Sequence, residues 1–177
     1  MTAPEFSRPV SIDTISEAGK AMTVEADEAE RTALARRFGL ASIGLLEAKV
    51  AVSRRNGAPF AEGNVVAELT QNCVVTGDPL PVRVEEPFAI RFLPEESVEA
   101  DTDEIELQAE EIDTVFYEGG SIDVGEAVAE TMALSLDPFP RGPRADEALR
   151  EAGVIGEEEA GPFSALKALK DRMQGEG

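Results

Sequence analysis

Two runs of alternating apolar and polar residues meet at Asn56-Gly57, and this junction limits what the chain can fold into more than any other feature. Upstream, from Ile43, the residues Leu46, Ala48, Val50 and Val52 alternate with Glu47, Lys49 and Ser53. Downstream, over residues 60–72, Val65, Ala67 and Leu69 fall on one face and Glu68 and Thr70 on the other. A period of two is that of a half-buried strand. Asn-Gly is a favoured pair for the two-residue turn that joins twisted antiparallel strands. The segment therefore predicts a long hairpin, the start of an antiparallel meander with one wet face. Gly77-Asp78-Pro79 is a second turn signal. Val82 and Val84 begin a third strand that resumes as Phe88, Ile90 and Phe92 beyond Pro87. Proline has no N–H for the ladder, so Pro87 predicts an edge or a bulge.

Around this sheet the chain carries helix signals. Residues 6–16 read as extended, and Met22, Val24 and Ala26 alternate as a short strand would. Asp27 and Glu30 have the spacing of a capping box, Leu34 and Phe38 share a helix face, and Gly39 is placed to close the helix, which predicts a helix over 28–38. Asp123 and Glu126 repeat the capping spacing, and Val124, Val128 and Met132 step by four, predicting a helix over 123–136 that Pro138 stops. Residues 137–161 are rich in Pro and Gly, with a weak helix at 145–152, and read as a partly flexible connector. Pro162 opens a last amphipathic helix with Phe163, Leu166, Leu169 and Met173 on one side. The expected architecture is α+β: an antiparallel sheet of five or six strands with two packed helices in a domain over 1–136, the connector, and a C-terminal helix and tail over 162–177.

Charge and composition exclude whole classes of chemistry. Thirty-six acids against sixteen Lys and Arg give a net charge of −20, and the 177 residues include no His. Ser-His-Asp triads, Cys-His dyads and His-ligated metal sites are therefore impossible within this chain. The single cysteine, Cys73, has no internal disulfide partner and fits a reducing compartment. The first residues show neither a basic nor an apolar leader region, and no apolar run reaches the roughly 20 residues of a membrane span, so a cytoplasmic protein with no membrane association is expected. A chain so acidic is repelled by phosphate backbones, so direct nucleic-acid binding is not expected. Its electrostatic complement is basic.

Few residues stand out as candidates for function. Residues 94–118 hold eleven acids and no base, and Ile105 and Leu107 alternate there with Glu104, Glu106 and Gln108 as in a solvated strand. A charge run is more often a solvated face than a site. Read functionally, Glu104, Glu106, Glu110, Glu111 and Asp113 would form a docking surface for a basic protein. Cys73, lacking a His and with Arg83 its nearest base along the chain, reads as a buried structural thiol. The Phe163, Leu166 and Leu169 stripe with Lys167 and Lys170 is core packing or a second partner contact. No phosphate-binding glycine loop and no Cys-x-x-Cys pair occurs, and no cofactor is implied.

Three segments, in this order, resemble the bacterial and plastid family of large ribosomal RNA subunit accumulation proteins, the YceD-like proteins. The block Ala67-Glu-Leu-Thr-Gln-Asn-Cys73-Val-Val-Thr76-Gly-Asp-Pro-Leu, followed by strand Val82–Phe92, is similar to the family's strand–Cys–turn–strand unit. Asp123, opening a helix that leaves through Leu134-Ser-Leu136-Asp-Pro138, is similar to the family's Asp-capped helix. Pro162-Phe163-Ser-Ala-Leu166-Lys167-Ala-Leu169-Lys170 is similar to its closing signature. Many members carry a second Cys three residues after the first, where this chain has Thr76, so the resemblance brings no metal site here. It implies structural roles for Cys73, Thr76, Asp123, Pro138 and Pro162.

The resemblance also implies a non-enzymatic role in large-subunit ribosomal RNA accumulation. In many bacteria the family's gene lies beside that of a small basic large-subunit ribosomal protein. Joined to the charge, this makes a basic ribosomal or assembly protein the expected partner, with pre-ribosomal particles as the wider setting. The alternative is an acidic nucleic-acid mimic that inhibits a nucleic-acid-binding protein, which accounts for −20 equally well.

Overall fold

The computed structural model describes residues 4–95 and 113–154. The chain divides into two compact units: Met1–Gln71 with Pro79–Pro138, and Asn72–Asp78 with Phe139–Gly177. The first holds β1 (Pro9–Ser11), one 3-10 turn (Ile12–Thr14), β2 (Lys20–Glu25), α1 (Glu28–Arg37), β3 (Ser42–Arg55), β4 (Ala58–Asn72, its last residue passing into the second unit), β5 (Pro79–Pro94), β6 (Asp113–Tyr117), β7 (Ser121–Asp123) and α2 (Val124–Leu134). The second holds α3 (Ala145–Glu151). The α+β expectation holds.

The hairpin forms where the alternation places it. β3 and β4 pair antiparallel from Arg55↔Ala58 to Ser42↔Thr70, and Asn56 and Gly57 take φ of 51° and 83°. Two positive φ angles in a two-residue loop make a type I′ turn, the form whose twist suits a hairpin. One irregularity falls between Ile43 and Leu45, where Gly44 gives the strand room to slip by a residue. β2 pairs antiparallel with β3 from Lys20↔Val52 to Glu25↔Glu47. The sheet order is β2-β3-β4-β5-β6, and β1 and β7 form a separate two-stranded ribbon.

The far edge departs from the expected meander. β6 joins β5 in parallel, with Ile90 opposite Asp113 and Phe92 opposite Val115. Parallel neighbours need a crossover of a dozen or more residues, and residues 95–112 supply that length. The alternation at Ile105 and Leu107 lies outside the described residues. β6 pairs only with Ile90–Pro94, so Pro87 sits where that side of β5 has no partner strand among the described residues, which fits its missing N–H.

Both longer helices pack on the sheet, α1 against β3 and α2 against β5. The core lies between, built from Leu46, Val50, Val65, Ile90 and Phe92 of the sheet with Leu34 of α1 and Val124, Val128 and Met132 of α2. Phe6, fully buried, belongs to the same core. Burying a side chain of that size contributes about 1.5–3 kcal/mol.

The two predicted caps differ. At α1 the box is complete: Glu30 N–H donates to Asp27 at 2.8 Å, and Asp27 N–H donates to Glu30 at 2.8 Å. Gly39, at φ 66°, closes that helix. At α2 Asp123 accepts the Glu126 N–H at 3.1 Å, but the Glu126 carboxylate turns to the Arg37 guanidinium at 2.6 Å. α2 also ends at Leu134, short of both the expected 136 and Pro138; Ser135 and Leu136 turn back to bond the last carbonyls, and the Ser135 hydroxyl caps Met132.

Candidate functional site

The smaller unit is organised around one sulfur. Residues 73–78 fold back on themselves: Cys73 N–H donates to the Asp78 carbonyl at 2.8 Å and Gly77 N–H to the Cys73 carbonyl at 2.9 Å. Gly77 takes φ 74°, a conformation in which a side chain is strained. The loop that follows Phe139 closes over this turn. Val74 N–H donates to the Pro140 carbonyl at 2.9 Å, and Gly142 N–H points at Cys73 Sγ, 3.3 Å away. Thr76 N–H approaches the same sulfur at 3.5 Å.

Those donors set the thiol's chemistry. Cys73 is buried, yet its pKa is pulled from 9.0 down to about 7, first by the Gly142 N–H and then by Thr76, because N–H groups aimed at sulfur favour the thiolate. Asp78 stands beside it. The Thr76 hydroxyl donates to its carboxylate at 2.7 Å and Arg144 Nε at 3.1 Å, with a second Arg144 nitrogen on the other oxygen. Thr76 first and Arg144 second hold the Asp78 carboxyl below its ordinary range. The arrangement stabilises a thiolate inside a folded turn. It offers no base to activate an attack and little access for a substrate.

The donor set does not suit a metal. Cys73 Sγ is engaged by two N–H groups, Thr76 by Asp78, and among the described residues no three His, Cys, Asp or Glu converge as an ion would require. Thr76, standing where many resembling proteins have a second Cys, serves as a hydrogen-bond bridge.

Of the other residues singled out from sequence, Asp123 belongs to the larger unit and ties three segments together. It accepts the Ser7 hydroxyl at 2.5 Å, the Arg8 N–H at 2.8 Å and the Glu126 N–H that begins α2. Pro138 ends the larger unit's span. Asp113 opens β6, exposed and opposite Ile90. Glu104, Glu106, Glu110 and Glu111, and Pro162, Phe163, Leu166, Lys167, Leu169 and Lys170, lie outside the described residues. Sequence reasoning missed Gly142 and Arg144. The available signal was Arg-Gly-Pro-Arg at 141–144, a glycine N–H between bases that no helix would consume.

The profile of the family described as large ribosomal RNA subunit accumulation protein YceD matches residues 61–170. The chain belongs to the YceD family. No curated protein and no solved structure matches it. In this YceD protein the matched span takes in the Cys73 turn, the loop that closes on it, and α2 with its Asp123 cap. The YceD family is one of ribosomal RNA accumulation factors and not a known enzyme family. Among the described residues no helix is long and apolar enough to cross a membrane.

Proposed function

We propose that this protein supports accumulation of large-subunit ribosomal RNA without catalysing a reaction, by binding a basic ribosomal or assembly protein through an acidic surface. The observation that carries the partner's chemistry is the net charge of −20. Complementary potentials raise the rate of encounter and disfavour partners of like sign. A basic client that would otherwise bind RNA indiscriminately is shielded while it is held. The family membership supports the cellular role, and the acids of residues 94–118 are the proposed contact, with Phe163–Lys170 as a second.

The test is the ratio of large- to small-subunit ribosomal RNA in cells depleted of the protein. A selective fall in the large-subunit RNA, restored by the native gene but not by one with the acids of 94–118 reversed in charge, is the expected result. An unchanged ratio overturns the proposal and favours an acidic mimic that occupies a nucleic-acid-binding protein.

A further inference from the structure

We propose that the basic partner docks on the face of β5 and β6 turned away from the core, where the two strands end, resting an apolar side chain on Leu93 and Phe116 and placing a Lys or Arg between Glu95 and Glu118. This rests on the functional reading above and gives it a location within the described residues.

Alternation along the two strands assigns the faces. Phe92 and Val115 are paired and belong to the core side, Phe92 fully buried and Val115 packed against the core. Side chains one step along point the other way. Leu93 and Phe116 are therefore paired on the opposite face, and Phe116 remains 49% exposed there. A half-exposed aromatic ring beside a leucine is the kind of anchor that carries binding energy at protein interfaces.

The last paired residues are Pro94 and Tyr117, and the next residue of each chain segment is a glutamate, Glu95 and Glu118. The neighbouring Glu118 carboxylate holds the Glu95 carboxyl above its ordinary range. Like charges this near repel, and no ion pair with a described base relieves them. Arg91 lies on the far side of the apolar pair, next to Thr114. The face thus presents a ring, a leucine and, at its end, two carboxylates with no ion pair to a described base. A partner's cation supplies the missing charge, and its neighbouring apolar group covers the ring. A second copy of this chain would bring like charge to the same place, so charge complementarity selects a basic partner.

The experiment titrates the full chain with the separated basic proteins of the large ribosomal subunit, each offered singly. It compares Phe116→Ala, the double variant Glu95→Gln/Glu118→Gln, and the control Glu85→Gln/Glu86→Gln, which removes two charges from exposed positions elsewhere on β5. The protein that binds the native chain should bind each face variant about tenfold or more weakly, and the control within about twofold, as for a peripheral charge. Equal losses in face and control variants would mean a diffuse field and overturn the site. Undiminished binding by both face variants would also overturn it while leaving the functional reading standing. If none of the basic proteins binds the native chain, the site as proposed for a ribosomal protein fails, and with it the ribosomal-protein form of that reading. A native dimer that dissociates on Phe116→Ala would assign the face to a second copy and overturn the proposal. Circular-dichroism melting verifies that each variant is folded.

Discussion

At the scale of single residues, two side chains gather more partners than their surroundings in sequence announce. Cys73 faces N–H groups from Gly142 and Thr76 and titrates near 7. In the unfolded chain the thiol keeps its proton up to the ordinary range. Between about pH 7 and 9 the unfolded state therefore binds more protons than the folded one, and stability rises with pH across that window. The thiolate absorbance near 240 nm should titrate around pH 7 in the native protein. The stability advantage over Cys73→Ala should grow from pH 7 to pH 9; a pH-independent difference would mean that the N–H groups do not act on the sulfur. Asp123 serves as helix cap and as the anchor for Ser7 and Arg8. Losing a cap costs about 0.5–2 kcal/mol, and here two further donors lose their acceptor. Asp123→Ala should fall at or above the upper end in urea unfolding, and Asp123→Asn, which keeps an acceptor, should recover most of the loss.

At the scale of elements, the long hairpin depends on two glycines for different reasons. Gly57 supplies the positive φ of the turn, and Gly57→Ala should cost about 1 kcal/mol. Gly63 lies mid-strand opposite Val50, and a Cβ there would run into the Lys49 backbone carbonyl on β3. Neither strand can move aside without breaking its ladder, so Gly63→Ala should destabilise by about 1–3 kcal/mol. Amide exchange should quicken along β3 and β4 on either side of Val50; exchange rates like those of the native chain would show that the strands tolerate a side chain at that point. The parallel attachment of β6 is an element-scale fact of another sort. It brings Glu118 beside Glu95 and Phe116 beside Leu93, and no local propensity requires it.

At the scale of the whole molecule, net charge is the dominant property. A chain at −20 sets up a field that acts over about 8 Å at physiological ionic strength and shrinks as salt is added. Binding to a basic ribosomal protein should weaken about tenfold or more between ~50 and ~500 mM NaCl, with most of the change in the association rate. A salt-insensitive affinity, measured by stopped-flow and equilibrium titration, would mean that charge is not what selects the partner.

The hairpin, both cap residues, the helix at 28–38 and the family were legible in the sequence because each is written in neighbouring residues. Periodicity, a two-residue turn and a three-residue cap spacing are local, and the exclusion of histidine chemistry needs only a count. The chief partner of Cys73 was not legible, since Gly142 lies 69 residues away and no local rule links the two. The same holds for Arg37, which pairs with Glu126 across 89 residues of chain. Alternation indicates which side of a strand is apolar, but the direction and neighbour of β6 depend on how the intervening chain returns to the sheet. Sequence alone determined the charge, the hairpin and the chemistry this protein lacks. The tertiary structure decided which groups surround the sulfur and which carboxylates are forced together, because contacts of long sequence separation are settled only when the core closes.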